Sequence, residues 1–231
     1  NLVINKGAKL NVSNYFLLGA DNDAISTLTN EGTLEGANLR MFRGESTLTN
    51  SGTINLTSYL LLSEKGQQTT INNTGTITLT GGTDDMSFGD VNTTTTEAVF
   101  NMQGGTVSAG LLNATGNGGS INISGGTMTF TDTNWFDTGA SYLGNYIIDF
   151  DNDGVLNLNI ADGARRTAVE GFLTTAINDG DITYQGGAFN LANMTVDGTT
   201  ITLAAIPEPG TYAFFAGCFG LTWVMLRRRR S

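Results

Sequence analysis

Between Ile4 and Phe130 the chain repeats one phrase of apolar and polar positions. An apolar-polar pair is followed by Asn or another small polar residue, then Gly, a small residue and an alternating apolar run. The phrase reads INKGAKLNV (4–12), LTNEGTL (28–34), LTNSGTINL (48–56), INNTGTITL (71–79), FNMQGGTV (100–107) and INISGGTMTF (121–130). Period-two alternation, as in Ile54-Asn55-Leu56 or Ile77-Thr78-Leu79, puts apolar side chains on one face of a strand. Asn-x-Gly supplies a bend with a residue free to take positive φ. The pivot glycines Gly7, Gly32, Gly52, Gly75, Gly105 and Gly126 are spaced by 25, 20, 23, 30 and 21 residues. A unit of that length cannot bury its apolar face alone. Parallel stacking of such units about 4.8 Å apart buries a continuous narrow column. Recurrent Asn beside the turns can then stack into side-chain amide ladders.

These features predict an all-β fold, a right-handed parallel β-helix of five to six coils over residues 1–140. An antiparallel β-sandwich, which also shows short strands and Gly-rich turns, is the competing architecture. From Tyr142 the texture changes. YIIDFDNDGVLNLNI (146–160) reads as two strands around an Asp-Asn-Asp-Gly turn, a hairpin signal. ARRTAVEGFLTTAIN (164–178) is the one good helix candidate. Its apolar face is Val169, Phe172, Leu173, Ala176 and Ile177, with Asp162 to cap the start and Gly180 to stop the end. Strands return afterwards and run towards Ile206. Residues 141–205 are therefore expected to form a mixed module that covers the end of the stack, since a last coil otherwise exposes an unpaired edge.

The last 26 residues, 206–231, carry three signals in a fixed order: Pro207-Glu208-Pro209, an uncharged apolar run from Thr211 to Leu226, and Arg227, Arg228, Arg229 and Arg230. Pro207 and Pro209 are the only prolines in the chain. Arginine beside a hydrophobic segment holds that side in the cytoplasm, so everything before Pro207 is expected on the far side of the membrane. Sixteen helical residues reach roughly 24 Å, short of a comfortable span of about 20 residues. That suits a transmembrane helix held briefly and then removed. A buried core helix is the other reading, but it would bring four solvated arginines to the edge of a core.

This order of elements resembles the PEP-CTERM sorting signal of Gram-negative bacteria. In that family an exosortase, a multi-pass membrane protease-transferase, recognises the tripeptide, and the passenger is delivered to the cell surface or the extracellular polymer matrix. The resemblance gives Pro207, Glu208 and Pro209 the recognition role, residues 211–226 the span and Arg227 to Arg230 the topology signal. It implies exosortase as a partner, transient residence in the inner membrane, and an export signal ahead of Asn1. The Asn-x-Gly-Thr-apolar phrase in turn is similar to passenger domains of autotransporter-type surface proteins. Gly180 to Tyr184, followed by a glycine pair, resembles the tail-proximal region of other exosortase-sorted proteins.

Charge is divided unevenly. Residues 1–206 hold 20 acidic and seven basic residues, a net of −13, while the remainder sets Glu208 against four arginines, a net of +3. An acidic body with no basic run argues against nucleic acid and other polyanions as partners. The chain has no histidine, and its single cysteine, Cys218, lies in the apolar run. That removes a His-based triad, a His-rich metal site and a cysteine nucleophile in the body. It also means that a secreted form draws stability from packing and backbone pairing, not from disulfides.

Candidate chemistry is sparse. Asp149, Asp151 and Asp153, ahead of Gly154, match the start of a calcium loop, but the twelfth position is Ile160 and the flanks read as strands. An Asp-rich hairpin turn is the simpler account. Other acidic pairs, Asp21 with Asp23, Asp84 with Asp85 and Asp179 with Asp181, sit in turn-like contexts where Asp serves the backbone. Trp135, Phe136, Tyr142 and Tyr146 read as residues that fill the cap of the β-domain, with a sugar-stacking platform as the alternative. No catalytic, cofactor-binding or metal residue is therefore assigned. The expected function is that of an exported, exosortase-processed structural or adhesive protein of the surface or polysaccharide matrix. A polysaccharide hydrolase or lyase on the same fold, exported by the same route, is the alternative.

Overall fold

Each repeat of the phrase folds into one coil of a parallel β-solenoid. The computed structural model describes residues 1–19, 21, 24–62, 68–80, 85–88, 98–113, 119–132 and 146–205. The first coil holds β1 (Leu2–Ile4) and β2 (Lys9–Leu18), and the second β3 (Ile25–Asn30) and β4 (Thr33–Met41). The third is β5 (Glu45–Asn50), β6 (Thr53–Leu56) and β7 (Leu60–Leu62), and the fourth β8 (Thr69–Asn73), β9 (Thr76–Leu79) and β10 (Asp85–Phe88). Two long strands, β11 (Ala98–Asn113) and β12 (Gly119–Asp132), follow, and then β13 (Tyr146–Phe150) and β14 (Val155–Asn159).

Parallel ladders join these coils. One runs β1-β3-β5-β8-β11-β12-β13. A second runs β2-β4-β6-β9-β11-β12-β14. A third joins the end of β4 to β7, β10 and the end of β11. Strands paired in this way exclude the sandwich, which needs antiparallel neighbours.

Alternation along each strand then builds the core in columns. Leu28, Leu48, Ile71, Phe100, Ile121 and Ile148 stack on the first ladder, and Leu34, Ile54, Ile77, Val107, Met128 and Leu156 on the second. All are buried. A third column, Leu39-Leu60-Met86-Leu112, lines the remaining face. One inward column differs in chemistry. It runs Ile4, Asn30, Asn50, Asn73, Met102, Ile123 and Phe150, with three amides in its middle. The Asn30 amide donates to Asn50 Oδ1 at 2.8 Å, and the Asn50 amide to Asn73 Oδ1 at 2.7 Å. The Asn73 amide ends the run on Met102 Sδ at 3.3 Å.

The pivot glycines stack on one another at a corner, for a reason other than the one their pattern suggests. Gly32, Gly52 and Gly75 have ordinary φ; what they lack room for is a side chain. A Cβ on Gly52 would lie 2.2 Å from the Gly32 carbonyl oxygen, and one on Gly75 2.2 Å from that of Gly52. Positive φ is confined to Gly7, Gly105 and Gly126 among the six.

Residues 146–160 form two strands, as expected, but not a hairpin. β13 and β14 do not pair with each other; each pairs in parallel with its own half of β12. The Asp-Asn-Asp-Gly turn is thus another corner, where a Cβ on Gly154 would lie 2.0 Å from the Ile123 carbonyl oxygen.

The predicted helix is α1 (Gly163–Asp179). Asp162 accepts a hydrogen bond from the Arg165 amide at 2.8 Å, and Gly180 ends the helix in the left-handed conformation. Val169, Leu173, Ala176 and Ile177 are buried as the pattern predicts, with Phe172 half-buried beside them. Next, β15 (Ile182–Tyr184) extends the first ladder in parallel and turns back into β16 (Gly187–Ala188). β17 (Met194–Asp197) and β18 (Thr200–Ala204) form a true hairpin, and β18 lies antiparallel on β14. No helix among the described residues is long and apolar enough to cross a membrane. The apolar run 211–226 lies outside them.

The end of α1 carries an unfavourable charge. Asp179 and Asp181 sit at the negative end of the helix, whose last turn holds no basic residue. Partial burial, and secondarily the Asp179 charge, push the Asp181 carboxyl above the ordinary carboxylate range. Just above that range the folded chain therefore holds a proton that the unfolded chain has released, and stability falls as pH rises through this window. Asp181→Asn is expected to raise the unfolding midpoint at neutral pH by about 1 °C. Thermal melts should show the gain vanish at a pH low enough to protonate the carboxyl in both states.

Candidate functional site

The acidic corner is placed by the last coil. Asp149, next to last in β13, faces outward, in register with Asn122 on one side and Thr183 on the other. Its Oδ1 accepts from the Thr183 hydroxyl and from the Gly186 amide, the latter at 2.9 Å. Asp151 Oδ1 accepts from the Asn152 amide and from Gln185 Nε2, both at 2.7 Å. Asn152 takes a positive φ of 48° to make the turn. Two of the three carboxylates thus fasten the β15–β16 turn to the coil beneath, while Asp153 points to solvent. Among the described residues no three His, Cys, Asp or Glu side chains gather as a metal site. The corner acts as a clasp.

The other candidates separate as follows. Tyr146 is fully buried, packs edge-on to Phe88 at 5.8 Å and donates its hydroxyl to the Phe88 carbonyl at 2.9 Å. Burial raises its pKa. It is a core residue. Trp135, Phe136 and Tyr142 lie outside the described residues, as do Asp23 and Asp84. Pro207, Glu208, Pro209 and Arg227 to Arg230 lie outside them too.

A cluster that the sequence does not announce occupies the surface of the first three coils. Asn38, Arg40 and Phe42 alternate outward along and just beyond β4, with Leu39 and Met41 turned into the core between them. Coil register places Tyr15 beside Asn38 and brings Tyr59 to its other side through the Leu39 amide, which donates to the Tyr59 carbonyl at 3.1 Å. The two tyrosine rings lean together over Asn38, with centroids 6.5 Å apart. The Arg40 guanidinium lies 5.5 Å from the Tyr15 ring centroid, 5.4 Å from Phe42 and 5.8 Å from Tyr59, and Arg43 lies 5.0 Å from Phe42. Such contacts contribute about 0.5–2 kcal/mol each, more as the cation loses water. Tyr15 is 47% exposed and neighbouring Leu17 48%.

This face therefore gathers aromatic rings and two arginines on a body that carries net negative charge. Flat rings with polar tips suit ligands that are apolar on one face and hydroxylated at the edge. Its residues are far apart in sequence and unremarkable in composition; only the register between coils brings them together.

Comparison with models of known protein families, with curated proteins and with solved structures finds no match to this chain.

Proposed function

We propose that this chain is an exported, non-catalytic structural or adhesive protein, sorted by an exosortase and retained in an extracellular polysaccharide layer. The observation that carries the reading is the order of the tail: Pro207-Glu208-Pro209, an uncharged run over 211–226, then Arg227 to Arg230. In this reading the run is a transmembrane sorting helix, transient in the inner membrane, and the body is a right-handed β-helix closed by a capping module over 141–205. The body supports it physically. A parallel stack is rigid along its axis and contacts each neighbour only locally, so it serves as a spacer that presents one face repeatedly. The Tyr15, Arg40, Phe42 and Tyr59 face is the surface offered to polysaccharide, and no cofactor is invoked.

Expression of three chains in a host that sorts such tails tests the reading. The unaltered chain is expected to lose its tail and fractionate with the polysaccharide. The triple change Pro207→Ala, Glu208→Ala, Pro209→Ala should remain at full mass in the membrane fraction. Tyr15→Ala should be processed normally but bind the polysaccharide several-fold less well, a loss of about 1 kcal/mol. Normal processing of the triple variant sinks the sorting assignment. New reducing ends or unsaturated products on incubation with matrix polysaccharides would replace the adhesive reading with an enzymatic one.

A further inference from the structure

The outer face of the second ladder carries an array that the proposed function does not use. Thr33, Thr53, Thr76, Thr106 and Thr127 stack in register across five coils. Two residues on, Asn55, Thr78, Ser108 and Thr129 form a second column beside the first. Ile54, Ile77, Val107 and Met128, which separate the columns, are buried, so alternation turns these polar side chains outward. Neighbours within a column stand about 4.8 Å apart, and the two columns about 6.6 Å apart. Glu35 continues the second column at one edge, where Lys9 pairs with it at 2.8 Å. From Thr53 to Thr129 neither column holds a charge, although the body around them is acidic.

The hydroxyls of this face are left to water. Among the described residues they make one side-chain hydrogen bond, from the Thr106 hydroxyl to that of Thr76 at 3.4 Å. The outer face of the first ladder is the opposite case, because its later coils tie their polar groups to one another. There the Asn101 amide donates to Asn72 and the Asn122 amide to Asn101, both at 2.8 Å. Asp149, next in that column, accepts from Thr183. The difference decides what each face can hold. An exposed hydroxyl gains little by exchanging water for the hydroxyl of a soluble ligand, and the array has no aromatic ring on which a sugar could stack. Hydroxyls fixed at a regular two-dimensional spacing instead order the water that they bind. Contacts too weak to count singly add up when one rigid, periodic partner makes them together.

We propose that this face binds ice, with Thr76, Thr78, Thr106 and Ser108 at the centre of the contact. Crystalline water is uncharged, as the array is, and every oxygen in it both donates and accepts hydrogen bonds. Its surface oxygens repeat at spacings close to those of the two columns. Threonine suits such a partner, since the hydroxyl anchors the layer while the methyl group beside it leaves bound water to pair within the layer. The amide ladder from Asn30 through Asn50 to Asn73 lies at the adjoining corner and holds these coils in straight register, because flat sheets depend on stacking and side-chain ladders. Ice binding is independent of the sorting assignment and of the Tyr15 face.

Partition of the full chain, in mild detergent, into slowly grown ice tests the proposal, with serum albumin as the protein that ice excludes. The unaltered chain is expected to be enriched several-fold over albumin in the ice fraction and to slow the coarsening of fine-grained ice. Thr106→Lys and, separately, Thr78→Lys each put a long charged side chain into the contact. Both should fall to the albumin level while far-UV circular dichroism and the thermal midpoint stay unchanged. Thr49→Lys, exposed on the first ladder, should partition as the unaltered chain does. Exclusion of the unaltered chain to the same degree as albumin would overturn the proposal. So would equal losses from Thr49→Lys and Thr106→Lys, which would mean that charge anywhere on the body governs the partition.

Discussion

Asn50→Leu is expected to destabilise the solenoid by about 3 kcal/mol, although leucine and asparagine are close in size and the site is fully buried. The cost arises in the neighbours. Asn50 accepts from the Asn30 amide and donates to Asn73 Oδ1 and, at 3.3 Å, to the Thr76 carbonyl. Leucine leaves Asn73 Oδ1 without that donor in a place no water reaches, and each buried group so stranded costs about 1–3 kcal/mol. The column itself tolerates apolar side chains, since Ile4, Met102, Ile123 and Phe150 occupy the same position in other coils. Asn30→Leu, Asn50→Leu and Asn73→Leu combined should therefore cost less than the sum of the three singles, because no member is left half-paired. Urea unfolding of the seven variants in this cycle measures the coupling. Additive losses would mean that the amides act one by one and not as a ladder.

The ladder shows what the sequence makes legible. Asn30, Asn50 and Asn73 each stand two residues before a pivot glycine, and the spacing between those glycines is the length of a coil, so the stack and its amides can be read from the phrase. The helix is legible for a similar reason, since its cap, its apolar face and its stop are all local. What is hidden depends on which strands become neighbours. Asp-Asn-Asp-Gly at 151–154 has the same φ requirement in a hairpin and at a solenoid corner, and only the partner strand, β12, distinguishes them. Tyr15, Arg40 and Tyr59 belong to three coils of unequal length, with a register shift inside β2. Their meeting cannot be reached by counting residues. β7 and β10 carry no copy of the phrase, so nothing in the repeat marks where the third face of the stack lies.

Three glycine-to-alanine changes are expected to separate conformational freedom from close approach, with Gly105→Ala the most damaging. At Gly7 φ is +80° and nothing lies within 4 Å of the Cβ position, so alanine meets only the backbone penalty, about 1 kcal/mol. At Gly75 φ is ordinary, but the Cβ would stand 2.2 Å from the Gly52 carbonyl oxygen, which already accepts from the Thr76 amide at 2.9 Å. Relief requires the two coils to part, at a cost of about 3 kcal/mol. Gly105 combines a φ of +70° with a Cβ position 2.0 Å from the Gly75 carbonyl oxygen, the acceptor of the Thr106 amide. Both terms apply there, about 4 kcal/mol together. Because a solenoid is stabilised coil by coil, the damage should be local. Hydrogen exchange should quicken most at Thr106 and its neighbours on β11 in Gly105→Ala, and at Thr76 in Gly75→Ala. Gly7→Ala should leave both amides as protected as before. Equal losses at Gly7 and Gly75 would show that the column is selected for its turn geometry, and that the approach of backbone to backbone is not what excludes a side chain.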